Sequence, residues 1–384
     1  MAVWSARKAK RPADEPAPRG VALPVAAAAD PSVPPTTGWL VRGKDGRLTA
    51  YAPVSGGVLR WTETRVGGPE WSGPVHIPAP GVLPYLSIAQ GADGYVHLVG
   101  LRRTSTATEV VYALQYQSGL AVRDWVPVGS PYADRPDLAA QIGLPSAVVD
   151  STGSLHVFVR NAGGGISGRA QVASGKWNRW ADLKGSGVLG AISASVTAEG
   201  LMEVVAVTED RLLRWEQTEV GVKFVRAADL ETRAEPSSLC AEQTAPGRLT
   251  HFWLDAQDGT VRAWRPSSAA AAAASAAGGP GAVGGGGGTG PVAALRTPVD
   301  GRDCTVLARR DAATGRPALA VYATEEESAA AEWAVTGERC VGAPALALDG
   351  RGRVVLAVFG ADGTLRVARQ RSGPGLALEA WARV

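Results

Sequence analysis

A glycine-led unit, Gly-x-hydrophobic-x-hydrophobic, returns along the whole chain and restricts it to a small set of folds. Gly46 opens GRLTAYAP, Gly94 opens GYVHLVGL, Gly153 opens GSLHVFVR and Gly200 opens GLMEVVAV. Gly247 opens GRLTHFWL, Gly315 opens GRPALAVY and Gly352 opens GRVVLAVF. The six intervals between Gly46 and Gly352 average about 51 residues. Such a period, filled with short strands, predicts a β-propeller with one four-stranded sheet per repeat. Turns of the Asp-Gly and Gly-Gly type, as in KDG (44–46) and SGG (55–57), separate β-branched and aromatic runs, which is the hairpin signal. Runs such as LHVFV (155–159) and VVLAVF (354–359) are apolar at consecutive positions. Both faces of these strands are therefore expected to be buried, as they are where blades pack face to face. The expected fold class is all-β: a seven-bladed propeller of four-stranded antiparallel blades.

Two repeats depart from the pattern. In the fifth, residues 267–290 are Ala/Gly low complexity between TVRAW (260–264) and a weak fourth strand near VAALR (292–296). Glycine-rich sequence has few side chains to bury against its ordering entropy, so a flexible surface loop is expected there. In the sixth, Trp333 follows Gly315 by 18 residues, where Trp71 follows Gly46 by 25. The expectation is a degenerate sixth blade that has lost a strand, with a six-bladed ring as the alternative. Residues 1–36 read as a disordered Pro/Ala arm, and 37–384 as the propeller domain. The arm has a basic start, but its one short apolar run contains Pro24 and lies behind Asp14 and Glu15. That is poor signal-peptide character, so a cytoplasmic location is expected, with secretion as the alternative.

Composition removes several functions. A net charge of +3 on 384 residues is too small for a nucleic-acid footprint. No stretch approaches the roughly 20 apolar residues of a membrane span. Cys240, Cys304 and Cys340 are sparse and odd in number, which is no disulfide framework. The residue seven before each anchor glycine is Trp39, Ser87, Ser146, Ser193, Cys240, Ala308 and Ala345 in turn. Six of these seven are small, as crowding of inner strands around an axis requires. Cys240 is then a small buried group rather than a nucleophile.

Tryptophan marks the last strand of most repeats: Trp71, Trp125, Trp177 with Trp180, Trp333 and Trp381, while the fourth repeat has Phe224. The third repeat, GSLHVFVRNAGGGI followed by KWNRWADLKGSG (176–187), carries a double ending. In this it resembles the repeat of PLL-type bacterial lectins, seven-bladed propellers whose blades end in Trp-x-x-Trp-x-x-Leu-Gly. The resemblance covers residues 38–384 as a repeat pattern, with the full double-Trp ending only in the third repeat. It implies shallow sugar pockets between adjacent blades.

A sugar site needs an aromatic face for the apolar side of the ring and a few rigid polar groups for its hydroxyls. Trp177, Asn178, Arg179 and Trp180 are the leading candidates, with Trp71 and Trp125 on the same logic. The competing reading is that these tryptophans are blade-edge packing. His97, His156 and Glu203 share one position in successive repeats, and His251 lies one further on. Satisfied core polar groups are expected there rather than a metal site. There is no nucleophile elbow, phosphate loop, HExxH or CxxC, so no enzyme and no cofactor are expected. The functional expectation is a non-catalytic carbohydrate-binding propeller. The alternative is a protein-interaction scaffold without a sugar ligand, so the expected partner is a glycan or a protein.

Overall fold

A computed structural model describes residues 35–266, 279–329 and 331–384. These residues form seven antiparallel sheets arranged as the blades of a propeller. Blade one runs outward through Leu40–Arg42, Leu48–Val54, Gly57–Glu63 and Trp71–Pro78, each strand paired with the next. The later blades span 87–129, 146–184, 192–231, 240–284, 288–335 and 340–383. Blade four differs only at its rim. There the outer strand is split into Val225–Arg226 and Leu230–Glu231, both paired with Arg211–Glu216.

The period of two decides which junction each side chain fills. In Leu155–Arg160, Leu155, Val157 and Val159 pack with Val99, Leu101 and Val110 of blade two. Phe158, one residue out of phase, packs with Met202, Val204 and Trp215 of blade four. Val204 and Ala206 turn back toward blade three, while Val205 and Val207 reach Trp253 and Trp264 of blade five. The core is thus seven inter-blade layers, and none of the blades has a core of its own.

The ring closes without strand exchange. Blade seven ends on its outer strand Ala382–Arg383, and blade one begins on its inner strand. Trp39, Leu48, Trp61, Val355, Ala357 and Val367 fill the junction. Polar contacts lock it. Trp39 Nε1 donates to the Ala343 carbonyl at 2.9 Å. Arg369, 5% exposed, pairs with the fully buried Glu63 at 2.7 Å. Arg353 and Arg369 also donate to the carbonyls of Gly67 and Gly68, in the loop before the outer strand of blade one.

The small residues of the inner strands do crowd the axis. Ser87, Ser146, Ser193, Cys240 and Ala345 line an axial cavity of about 240 Å³. Two serines also tie neighbouring inner strands together. Ser87 Oγ accepts from Ala147 N at 2.9 Å, and Ser146 Oγ accepts from Ala194 N at 3.2 Å. Cys240, Cys304 and Cys340 are all free thiols. Burial pushes the Cys240 thiol up, which makes it a poor nucleophile.

Three expectations change. The sixth blade is complete, with strands Gly288–Val299, Arg302–Asp311, Pro317–Ala323 and Trp333–Val335. Its first hairpin turns at Asp300–Gly301, and Gly315 belongs to the next turn outward. Both glycines have positive φ and both precede an apolar run, so the repeat offers two equally good anchors. Gly301 is the true one, and it removes both the lost strand and the six-bladed alternative. The run near 292–296, assigned above to blade five, is the inner strand of blade six. Within 267–290, residues 267–278 lie outside the described residues. The remainder is ordered structure: Gly281–Gly284 is the outer strand of blade five, paired with Val261–Trp264. Val283 is its buried anchor.

Of the N-terminal arm, residues 1–34 lie outside the described residues. Thr36 is already part of the fold, its Oγ1 accepting from Leu86 N at 2.9 Å. No helix among the described residues is long and apolar enough to cross a membrane.

Candidate functional site

Each outer-strand aromatic leans on the preceding blade. Trp71 packs into the junction of blades seven and one, and Trp125 into that of one and two. Phe224, Trp333 and Trp381 do the same at the junctions three–four, five–six and six–seven. The wedge is therefore a recurrent packing element. Trp125 shows its ordinary form: one indole, with Nε1 donating to the Pro78 carbonyl at 3.1 Å. Trp71 and Trp125 stand in different junctions and do not join the third-repeat residues in one site.

The junction of blades two and three is built differently. Strand Ile166–Ala170 turns tightly at 172–176, where Val172 N bonds the Lys176 carbonyl at 2.8 Å. The returning chain bridges Gln171 to Trp177. This hairpin places Arg169 beside the double-Trp ending. The Arg169 guanidinium carbon lies 5.9 Å from the ring centroids of both Trp177 and Trp180. Arg169 Nε donates to the Asn178 carbonyl at 2.7 Å, and Nη1 donates across the junction to the Val128 carbonyl. Partial burial lowers the pKa of this arginine, yet none of its nitrogens lies within 4 Å of a carboxylate among the described residues.

Tyr112 of blade two completes the wall. Its ring meets Trp177 edge-on at 5.6 Å, and its hydroxyl accepts from Gln171 Nε2 at 3.1 Å. Asn178 and Arg179 are exposed at the rim, while Trp177 and Trp180 are half-buried. Asn178 Oδ1 accepts from Ala170 N at 3.0 Å, which leaves its amide N–H groups toward solvent. The structure thus brings Trp177, Asn178 and Trp180 around a shared arginine and leaves Arg179 beside them. Arg169, Tyr112 and Gln171 were not among the sequence candidates. Counting back across the 172–176 turn finds Arg169 and Gln171. Tyr112 comes from another blade, and no local pattern reaches it.

The histidines and acids of the strand interiors are spread over several junctions, and Glu203 and His251 share one. Glu203 accepts from Arg214 Nη2 at 2.9 Å and lies 2.9 Å from Nε2 of the fully buried His251. Burial pushes the Glu203 carboxyl up, but the hydrogen bonds and charges of His251 and Arg214 override it and hold the group at about 2. His97, 5% exposed, stacks on Tyr112 at 6.3 Å. Burial takes it down to about 4, with Asp93 opposing. No group of three metal-ligating side chains is present among the described residues. A recess of about 400 Å³ opens where the inner hairpins of blades seven, one and two meet, with Arg42, Lys44 and Gln90 on its wall.

No known family model matches this chain. No curated protein matches it either. Solved structures do. A candidate 6-phosphogluconolactonase from Bacteroides uniformis superposes with a TM-score of 0.54 at 15% identity, over 85% of this chain and 91% of that one. The SapL1 lectin in complex with alpha methyl fucoside gives 0.48 at 12% identity, over 78% and 94%. The Hadza microbial sialidase Hz136 gives 0.48 at 12% identity, over 82% and 71%. Enzymes and lectins thus stand side by side, and at these identities the likeness is one of fold alone.

Proposed function

We propose that this protein binds carbohydrate without transforming it, in the groove between blades two and three. The observation that carries the reading is the cluster of Trp177 and Trp180 about a held Arg169. Two half-exposed indoles offer apolar faces to a pyranose ring. Asn178, Arg179, Gln171 and the Tyr112 hydroxyl supply hydrogen-bond partners of both kinds at the rim. Glycosidic cleavage most often uses a pair of carboxyl groups flanking the bond. The polar groups described at this groove are instead arginine, amide and phenol, which bind hydroxyls.

The test is a glycan array followed by titration calorimetry on the full chain and on Trp177→Ala. A bound sugar should lose at least about tenfold in affinity, or 1.4 kcal/mol, with the melting temperature within a few degrees of the parent. Binding that survives Trp177→Ala refutes the site. An array without a single bound sugar refutes the function and leaves the scaffold alternative.

A further inference from the structure

We infer that the sugar taken by the blade two–three groove is an acidic one, carrying a carboxylate or a sulfate group. The inference rests on the carbohydrate reading of that groove and narrows it to a ligand class.

Its basis is a charge the protein leaves uncompensated. Arg169 is fixed by two backbone carbonyls, one from its own hairpin and one from blade two. It is flanked by Trp177 and Trp180. Carbonyls satisfy N–H groups, but they do not neutralise a guanidinium. Elsewhere in the ring most partly buried arginines take a carboxylate, while Arg60 and Arg160 are held by backbone carbonyls but stack on no tryptophan among the described residues. Arg102 pairs with Glu109, Arg214 with Glu203, Arg265 with Glu327 and Arg353 with Asp349. Lys176 and Arg179, on the same hairpin, are exposed and likewise have no acidic partner within 4 Å among the described residues. The acid nearest in sequence, Asp182, is engaged by Lys184 at 2.9 Å.

One hairpin thus carries three cations, Arg169 set against the aromatic rings and Lys176 and Arg179 exposed beside it. An aromatic wall alone accepts any sugar. A preorganised guanidinium at its centre favours one with an anionic substituent, because an Arg–carboxylate or Arg–sulfate contact is charge-assisted and forms where the ring is already stacked.

The experiment compares three tetrasaccharides of one length on the full chain: tetragalacturonate for the carboxylate, a heparin-type tetrasaccharide for the sulfate, and maltotetraose as the neutral control. Methyl α-fucoside is a second neutral probe. At least one acidic probe should bind at least about tenfold more tightly than either neutral one. That binding should weaken as salt rises from 0.05 to 0.5 M, a range in which the screening length falls several-fold. The exposed double variant Arg179→Gln/Lys176→Gln should weaken it further, by about three- to tenfold, with an unchanged melting temperature. Arg42→Gln/Lys44→Gln, in the distant recess, should leave it unchanged. The identity of the acid that binds separates carboxylate from sulfate.

Neutral probes binding as well as acidic ones overturn the inference and leave the carbohydrate reading intact. Equal losses in the two double variants overturn it as well, because the attraction is then a general surface effect. Failure of all four probes, together with an empty glycan array, removes the carbohydrate reading and this inference with it.

Discussion

Substituting alanine along the glycine run of residues 284–288 separates a structural strap from a flexible linker. Gly285 has φ +70°, and a Cβ there would lie 2.5 Å from Cδ1 and Nε1 of Trp333. Trp333 has little room to move, because the buried Arg309 guanidinium stacks on its ring at 4.7 Å and is itself held by the Gly286 carbonyl. Gly285→Ala therefore meets two costs. A left-handed backbone costs a non-glycine residue roughly 1–2 kcal/mol. Overpacking against that ring adds roughly 1–3 kcal/mol. The smaller unfolded-state entropy of alanine returns about 0.4–1 kcal/mol, which leaves a net loss of about 1–4.5 kcal/mol. Gly287 shares the positive φ, +74°, but has open space around its Cβ position. Gly287→Ala, without the packing term, should cost only about 0–1.5 kcal/mol. Gly286 has no positive φ, and a Cβ there would meet only ordinary contacts, the Asp258 carbonyl at 3.6 Å and Thr260 Oγ1 at 3.9 Å. Gly286→Ala should be neutral or slightly stabilising. Urea unfolding followed by tryptophan fluorescence gives the ladder directly. If all three variants fall within about 0.5 kcal/mol of the parent, the segment is a linker and the strap is wrong.

Two further substitutions test the ring itself. Glu63→Gln removes the nearer carboxylate of Arg369 at the closing junction and leaves the 5%-exposed guanidinium only Asp349, 4.0 Å from Nε, so it should cost about 2–4 kcal/mol. Adding Arg369→Met should recover most of that loss, and a cost below about 1 kcal/mol for Glu63→Gln would show that apolar packing alone closes the ring. His97 gives a pH signature: its pKa falls from 6.5 to about 4 on folding, so the unfolded chain takes up the proton first. Stability from this residue is complete above pH 6.5 and is lost progressively down to pH 4, by roughly 3 kcal/mol in all. His97→Phe should flatten that limb in denaturation curves measured from pH 7 to pH 4, and an unchanged slope would place the acid sensitivity elsewhere.

The blade count was legible because a glycine hairpin between apolar runs is a local pattern, and it recurs wherever the inner strand turns outward. What misled was its second occurrence inside one repeat. Gly301 and Gly315 both sit at positive φ before an apolar strand, and only pairing with Gly288–Val299 shows which turn is the inner one. Composition misread the Gly-rich stretch for a related reason. An outer strand bonds a neighbour on one side only, so Gly281–Gly284 needs little more than Val283 to hold it. At the candidate site, Trp177, Asn178 and Trp180 were legible as a motif. The arginine that organises them lies across a hairpin, and Tyr112 comes from a different blade.

The aromatic wedge belongs to the fold, since it fills six of the seven junctions. The exception follows from blade five, whose outer strand reads GAVG and has no aromatic to offer. The blade four–five junction is filled by Trp253 and Trp264 together with the Glu203–His251–Arg214 cluster. Function must then lie in what one junction adds to the wedge. Two junctions add an arginine stacked on the tryptophan without a carboxylate, and they differ in access. Arg309 is 2% exposed, and the backbone of Gly285–Gly288 lies over it and Trp333, so its charge meets no solute. Arg169 has the same chemistry with a second indole, an open rim and no strap. A cation held in the same way but left open to solvent is what singles out the groove between blades two and three as the proposed binding site.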